Sequence, residues 1–420
     1  MTAGATTSAE LRPGVVGFLR DNARWLAAGM LLAFASSFGQ TFFIALFAND
    51  LRAELGLSHS GWGTLYAVAT LAAAASLAQL GRLADIRSPR WLAVRVLLVL
   101  GVFAVTMAAV GSVWMLALAV FGLRLAGQGL LSHVSMTMTA RGFAANRGRA
   151  IGIVSLGYPL GEAILPVLTV AAILAFGWRD AWLGVALVVL LVIAPLAFVL
   201  LANPRQPRST PTAAVAVGAP GLQGRHWQRA EVVRHPLFWA LVPGLLAPPL
   251  IGTSILFQGM HLVAAKGWAP DLYALAFPAY AAASVAASLG SGFLVDRFGA
   301  ARLLPFYQIP LALGLVLAAT LTDPASAFLY LGLIGLTTGA GFTIVTALWA
   351  ELYGTDHLGA VRGLTSSLLI FATALGPGLT GTLLDVGVGI ERQFAAMATV
   401  TLLFCGSFAV TVRGLRRQPR

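Results

Sequence analysis

The sequence is poor in charge, in lysine and in cysteine. Asp, Glu, Lys and Arg make up 10% of the 420 residues, against about 25% in an average soluble domain, so a water-soluble globular protein is excluded. Lys266 is the single lysine beside 26 arginines, a bias that hints at a bacterial genome rich in G and C. Cys405 is the single cysteine, which excludes an internal disulfide and a cysteine-based metal site. The motifs G-x-x-x-x-G-K-[ST] and H-E-x-x-H are also missing, which argues against ATP-driven chemistry and against a zinc hydrolase.

Long apolar runs fill the chain instead. Hydrophobic residues make up 58% of the sequence, and its mean hydropathy is +0.85. A membrane-spanning helix needs about 20 predominantly apolar residues. Runs of this kind cover residues 25–48, 61–83, 92–110, 113–139, 150–175, 181–202, 237–263, 272–294, 303–321, 326–350, 363–386 and 393–412. The sequence therefore predicts an all-α membrane protein with twelve transmembrane helices.

The net charge of +12 is distributed unevenly between alternate loops. With a cytoplasmic N-terminus, 22 arginines fall in the inner loops and tails, and the outer side holds only Arg52, Arg179, Lys266 and Arg392. Because cytoplasmic loops carry an excess of Lys and Arg, we expect both termini in the cytoplasm and the protein in the inner membrane of a bacterial cell. The basic loops are placed to touch lipid headgroups, and the pattern gives no reason to expect nucleic acid as a partner.

The chain repeats itself after its longest polar stretch. Residues 203–236 are rich in Pro, Gly, Thr and Arg, which is typical of a linker. The sequence GRLADIRSPR at 81–90 recurs as GFLVDRFGAAR at 292–302, so that Asp85 corresponds to Asp296. Internal duplication is typical of transporters whose two halves rock about a central site. The predicted parts are an N-terminal tail (1–24), a six-helix bundle (25–202), the linker (203–236), a second six-helix bundle (237–412) and a C-terminal tail (413–420).

The repeated motif resembles the signature loop G-x-L-a-D-r-x-G-r-k of the major facilitator superfamily. The resemblance covers the whole chain and implies two pseudo-symmetric six-helix bundles that work by alternating access. In the first copy, Ile86 and Ser88 replace the usual basic residue and glycine. Aspartates at helix ends can pair with nearby arginines and helix termini, forming a latch that breaks when the halves reorient. The predicted gating residues are Asp85, Arg90, Asp296, Arg297 and Arg302.

Three short stretches are similar to the monocarboxylate and oxalate/formate branch of that superfamily. They are SSFGQTFF at 36–43, LRAELGLS at 51–58 and NRGRAIG at 146–152. The branch commonly has an arginine and an aspartate in its eighth span, whereas residues 272–294 hold no charge here.

Two charged residues lie in the middle of predicted spans, Arg124 in the fourth and Glu162 in the fifth. At about 1.5 Å per residue, both fall near the membrane midplane. Charges at this depth are costly and indicate a functional site. We predict that Arg124 binds a carboxylate through its planar guanidinium group and that Glu162 binds the coupled proton.

Polar residues on the same helix faces complete the predicted site. Gln128 shares the face of Arg124, and Tyr158 shares the face of Glu162, at about 100° per residue. Gln40 in the first span corresponds to Gln258 in the seventh, where His261 lies on the same side. The predicted substrate-binding residues are Arg124, Gln128, Gln40, Tyr158, Gln258 and His261.

The sequence predicts a secondary active transporter of a small organic anion, coupled to protons, that is a monomer and not an enzyme and needs no cofactor. The same residues could serve a drug/proton antiporter for lipophilic or cationic compounds. Arg124 and Glu162 could instead form a structural ion pair. A non-transporting receptor or lipid-handling protein on the same scaffold is a further alternative.

Overall fold

The computed structural model is all-helical in the residues that it describes, which are 15–81, 83–143, 147–202 and 221–417. Helices suit these apolar runs because lipid offers no hydrogen-bond partners, and a helix satisfies its backbone groups internally. The tail before residue 15, residues 203–220 of the predicted linker and the side chain of Asp85 lie outside the described residues.

The helices that coincide with the apolar runs are named α1 to α12. They are α1 (a bent pair, Gly17–Gly39 and Thr41–Leu55), α2 (His59–Leu80), α3 (Pro89–Ala108), α4 (Val113–Gly142), α5 (Arg149–Phe176), α6 (Trp178–Leu200), α7 (Pro236–Phe257), α8 (Pro270–Phe298), α9 (Ile309–Thr320), α10 (Ser326–Tyr353), α11 (Ala360–Asp385) and α12 (Ile390–Leu415). In the described chain, ten of these are long and apolar enough to cross a membrane, and the bent pair would make eleven. Helix α9 is shorter. The prediction of a multi-pass helical membrane protein is confirmed, and the count of twelve spans stays a prediction.

Helices from the two sides of the linker pack together most extensively as two pairs. Helix α2 lies along α11, and α5 lies along α8. At Gly63 the first pair crosses so closely that a Cβ atom would overlap the carbonyl group of Pro377. The contact between the halves is therefore a crossing of backbones, not only of side chains.

The two halves also meet at one face of the molecule, which we call the contact face and define by Asn49, His59, Met260 and Asp385. The Asn49 side-chain amide donates to the carbonyl oxygen of Met260 at 3.1 Å, and the backbone N–H of His59 donates to Asp385 Oδ1 at 3.0 Å. Helix α1 ends at this face and α12 begins near it. The start of α1 and the end of α12 therefore share the opposite face, which we call the terminal face.

Candidate functional site

Helix α1 is broken at Gln40. A 3₁₀ turn, Ser36–Gly39, precedes this residue, and the backbone of Gln40 is extended, with φ −80° and ψ 155°. The two parts of α1 meet at an angle of 45°. A break of this kind frees backbone groups that must find partners on neighbouring helices or in a cavity, and broken helices form the binding sites of many transporters.

Helix α4 faces the break with an irregularity of its own. Residues Arg124–Leu131 form a π-helix, a conformation frequent at functional sites. Gly127 lies directly against Gly39, since a Cβ atom on Gly127 would be 2.7 Å from Gly39 Cα. Only glycines allow the two backbones to approach so closely. The crossing brings the start of the π-helix, Arg124, to the break in α1.

Arg124 is buried at this crossing, with 6% of its surface exposed. Its Nη1 atom donates to Gly39 O at 3.2 Å and to Thr41 Oγ1 at 3.3 Å. Its guanidinium carbon lies 5.2 Å from the centre of the Tyr66 ring, within the range of cation–π attraction. Among the described residues, Arg124 has no acidic partner, and its Nε atom has no hydrogen-bond partner. The site therefore holds a buried positive charge that only neutral groups solvate.

The ring partner of Arg124 reaches the second half of the chain. Tyr66 lies on α2, donates its hydroxyl to Thr41 at 2.7 Å, and packs against Phe257 of α7 with ring centres 4.8 Å apart. The Arg124 site is thus separated from α7 by one layer of aromatic side chains.

Glu162 lies elsewhere in the joint between the halves. It is partly buried on α5, where α5 packs along α8, and it interacts electrostatically with the phenol of Tyr280 on α8. In the described part of the chain it forms neither a hydrogen bond nor an ion pair, so Arg124 and Glu162 do not pair. The structural ion pair considered from the sequence is not present in this conformation.

The other predicted binding residues fall into two groups. Gln128 and Gln40 are partly buried at the crossing of α1 and α4, where Gln128 Oε1 has no partner among the described residues. Tyr158 lies on α5 close to the side chain of Ser132 on α4.

The second group lies at the contact face. Gln258 Nε2 donates to Thr380 Oγ1 at 3.3 Å, and the His261 ring meets the His59 ring edge to face with centres 4.4 Å apart. The structure thus does not bring the six predicted binding residues into one site.

A cavity of about 410 Å³ lies in the second half of the chain. Its walls come from α7, α8, α10 and α11 and from the segment before α9. They include Gly252, Thr253, Leu256, Tyr280, Tyr307, Ile334, Thr338, Phe342, Trp349, Arg362 and Thr373. Tyr280 lines this cavity and also interacts electrostatically with Glu162. Hydropathy patterns gave no signal for the cavity, since its walls are the ordinary apolar residues of membrane helices.

The duplicated loops differ from the predicted latch in their side-chain contacts. Arg90 Nε donates to Phe198 O at 3.0 Å, and its guanidinium stacks on the Phe198 ring. Asp296, Arg297 and Arg302 are exposed and form no ion pair with any residue that the structure describes. These three residues therefore do not form the predicted latch with the described part of the chain in this conformation.

Two carboxylates near the ends of spans, Glu351 and Asp385, accept hydrogen bonds from helix starts instead. Glu351 Oε2, at the end of α10, accepts from the backbone N–H groups of Ala300 and Ala301 at 2.7 and 3.2 Å. Asp385, at the end of α11, accepts from His59 N–H at 3.0 Å and Ser60 N–H at 2.7 Å. An acidic residue near a span end gives no sign of such a partner, because the partner is distant in sequence.

Comparison with known proteins agrees with the fold and the duplication. The family model of the Major Facilitator Superfamily matches residues 29–266 and 250–420. The chain belongs to the major facilitator superfamily, a family of membrane transporters and not of enzymes, as the sequence analysis predicted.

Two relatives are similar in sequence. An uncharacterised 38 kDa protein of the 23S RNA operon of Thermoproteus tenax is 28% identical over 400 residues, which are 94% of this chain and 96% of that one. The MFS transporter asaE of Aspergillus flavus is 24% identical over 298 residues, 68% of this chain and 62% of that one.

Solved structures share the fold at low identity. A bacterial homologue of the human lysosomal transporter Spinster, inward-facing and unoccupied, superposes with a TM-score of 0.73 at 17% identity, covering 95% of this chain and 98% of that one. The nucleoside transporter NupG gives a TM-score of 0.68 at 14% identity, covering 93% and 99%.

Proposed function

We propose that the protein is a proton-coupled secondary transporter of a small organic anion, a carboxylate, that works by alternating access. The observation that carries the proposal is the buried Arg124 guanidinium without an acidic partner among the described residues. A buried charge is costly unless it is paired, and a substrate carboxylate would supply the missing partner. The unpaired Nε and the planar shape of the guanidinium suit an anion with two oxygens.

Glu162 is the proposed proton site. It lies in the joint of α5 and α8, so its charge would be felt by both halves of the transporter. A carboxyl group without a cationic partner avoids the cost of buried charge by carrying a proton. When the halves reorient with Glu162 protonated and substrate bound at Arg124, the proton and the substrate cross the membrane in the same direction, which is symport.

The export of cationic compounds is less well supported by the cavity. Arg362 is the one charged residue among the described residues that line it, and no carboxylate lines it. A lipophilic cation would be repelled by Arg362 and would find no carboxylate in the described walls, so we favour an anion over the cationic substrate of a drug antiporter.

The proposed setting follows from the arginine distribution. The terminal face is proposed to be cytoplasmic, in the inner membrane of a bacterial cell, with twelve spans and a single chain as the working unit. The duplicated loops, with Asp85, Arg90, Asp296, Arg297 and Arg302, would lie at this face and would form their latch when the halves close there.

Uptake into proteoliposomes tests this proposal. Radiolabelled mono- and dicarboxylates, a sugar and a lipophilic cation are supplied outside, with and without an inward proton gradient. We expect carboxylate uptake that the gradient drives, loss of uptake in Arg124→Ala, and in Glu162→Gln loss of the response to the gradient. Arg413→Gln, which removes an exposed arginine that lines no site, is the matched control. Accumulation of the cation when the proton gradient is reversed to run outward, unchanged by Arg124→Ala, would overturn the anion proposal in favour of antiport.

A further inference from the structure

The cavity in the second half has an apolar interior. Leu256, Ile334, Phe342, Val345 and Trp349 contribute side chains to its walls, along α7 and α10. Its volume of about 410 Å³ lies within the range of cavities that enclose small organic molecules. The apolar side chains offer contact area to a ligand but do not fix its orientation in the cavity.

Many hydroxyl groups in the walls are already occupied as donors. Those of Thr253 and Thr338 donate to the carbonyl oxygens of Pro249 and Ile334, one turn earlier, at 2.8 and 3.0 Å. Those of Thr365 and Thr373 donate in the same way to Arg362 and Ile370, at 3.1 and 2.8 Å. A hydroxyl that bonds its own helix offers no proton to a ligand. These four hydroxyl groups are therefore not available as donors to a ligand.

One charge marks one end of this cavity. Arg362 lies near the start of α11, at the terminal face, and lines the cavity. Its side chain makes no ion pair or hydrogen bond with the described residues. A cation close to a helix N-terminus adds to the positive potential of the helix dipole instead of offsetting it. The mouth of the cavity thus favours a negative group, and the interior favours hydrocarbon.

We propose that this cavity binds an amphipathic anion, with its charged group at Arg362 and its apolar body against Phe342, Val345 and Trp349. The site does not include Arg124, so the inference goes beyond the proposed function and adds a second anion site in the second half of the chain, for an anion with a long apolar body. A short, fully polar carboxylate would leave most of the cavity unfilled.

Binding of a fluorescent probe tests the inference on the full-length protein in nanodiscs of phosphatidylcholine. The probe is 11-(dansylamino)undecanoate, read by its fluorescence change against empty nanodiscs. Two matched compounds separate its features: the same molecule with an amine in place of the carboxylate, and dansylglycine, which lacks the long chain. We expect saturable binding of the long anion alone.

Three variants locate the site. Arg362→Gln removes the charge, and we expect it to weaken binding by about tenfold or more, while Arg362→Lys keeps most of the affinity. Gly252→Phe fills the cavity; a Cβ atom at Gly252 meets nothing within 4 Å, so folding is expected to be retained and binding lost. Arg413→Gln is the control for a general loss of positive charge. Equal binding in Arg362→Gln and Arg413→Gln, or unchanged binding in a folded Gly252→Phe, would overturn the inference.

The anion could come from solution or from the bilayer, and competition separates these sources. Displacement of the probe by free decanoate, but not by phosphatidylglycerol built into the nanodisc, assigns the cavity to a free anion. Displacement by phosphatidylglycerol assigns it to an anionic lipid. Failure of both to displace the probe would contradict an amphipathic anion site.

The binding result is separable from the transport result. Arg124→Met and Glu162→Gln should keep probe binding, because neither residue lines the cavity. Probe binding that depends on Arg362 in a protein that shows no gradient-driven uptake would keep this site and reject the proposed transport. Uptake that depends on Arg124, with probe binding unchanged in Arg362→Gln and Gly252→Phe, would keep the proposed transport and reject this site.

Discussion

Arg124 and Glu162 are mid-span charges that meet different helices. Arg124 begins the π-helix of α4 and donates to Gly39 O beside the break of α1 at Gln40. Glu162 lies where α5 packs along α8. Counting residues along a helix of fixed rise gives the depth of both charges but not their direction. An average helix period cannot reveal these partners, which belong to other helices.

Replacing Arg124 by methionine separates a binding role from a structural one. Met fills a similar volume without the charge, and replacing a buried charge by an apolar residue is often neutral or stabilising. We therefore expect Arg124→Met to leave the apparent Tm of the empty protein unchanged or raised, and to abolish stabilisation by a bound anion. Thermal unfolding of the purified protein with and without carboxylates measures both effects.

The opposite pattern would indicate that Arg124 supports the fold. A marked fall of the Tm in the absence of ligand would mean that its bonds to Gly39 O and Thr41 Oγ1 hold the break of α1 in place. Arg413→Met is the control, since it removes an exposed arginine of α12.

At the scale of helices, the sequence predicted positions well and irregularities poorly. The apolar run 113–139 corresponds to α4, Val113–Gly142, and the run 326–350 to α10, Ser326–Tyr353. The run 25–48 was predicted as one helix, whereas α1 extends over Gly17–Leu55 with a bend. Hydropathy averages over a window, so it cannot detect a break that a neighbouring helix stabilises through Gly39 and Gly127.

This crossing of α1 and α4 gives a matched pair of glycine variants. A Cβ atom at Gly127 would lie 2.7 Å from backbone atoms of Gly39, whereas at Gly129 the nearest atoms lie at 3.4 Å. We expect Gly127→Ala to destabilise the protein by about 1–3 kcal/mol, because two backbones must separate, and Gly129→Ala to have little effect. Thermostability followed by size-exclusion chromatography compares the two. Equal stability of both variants would contradict the tight crossing.

The helix Ala300–Leu303 depends on a distant carboxylate in a similar way. Glu351 accepts from its first two N–H groups, which acts as an N-cap from another helix. Loss of a cap costs about 1 kcal/mol. We therefore expect Glu351→Ala to speed hydrogen exchange at residues 300–303 and Glu351→Gln, which keeps an acceptor, to do so less. Exchange at Leu83–Ile86, in the other half, should not change.

For the whole molecule, the duplication was visible in sequence and recurs in the packing. Gly161 of α5 lies against Ser37 of α1, and Gly376 of α11 lies against Ser254 of α7. Each half thus packs its first helix on its fifth through a glycine and a serine. The cavity does not follow this symmetry, since its described walls belong to the second half alone. The sequence motifs report the shared scaffold, whereas the cavity depends on side chains in which the halves differ.

Closure of the contact face is a property of the whole molecule, and a substitution at Asp385 tests it directly. Asp385 of α11 caps the start of α2 through the N–H groups of His59 and Ser60, so it ties the second half to the first. Because an ionised oxygen accepts more strongly than an amide oxygen, Asp385→Asn should weaken this tie. We expect the population of conformations open at the contact face to increase. Spin labels on Ala53→Cys and Ala265→Cys, in a Cys405→Ala background, report the distance between the halves at this face.

The expected result is a longer and broader distance distribution in Asp385→Asn than in the parent. Asp271→Asn is the control, because Asp271 is an exposed aspartate of α8 whose carboxylate accepts from the backbone N–H of the next residue, Leu272, and not from the first half. If both variants keep the parent distribution, the backbone crossing at Gly63 and Pro377 is sufficient to hold the face closed, and Asp385 is only a local cap. If Asp385→Asn alone opens the face, a single carboxylate at the end of α11 sets the balance between the two states.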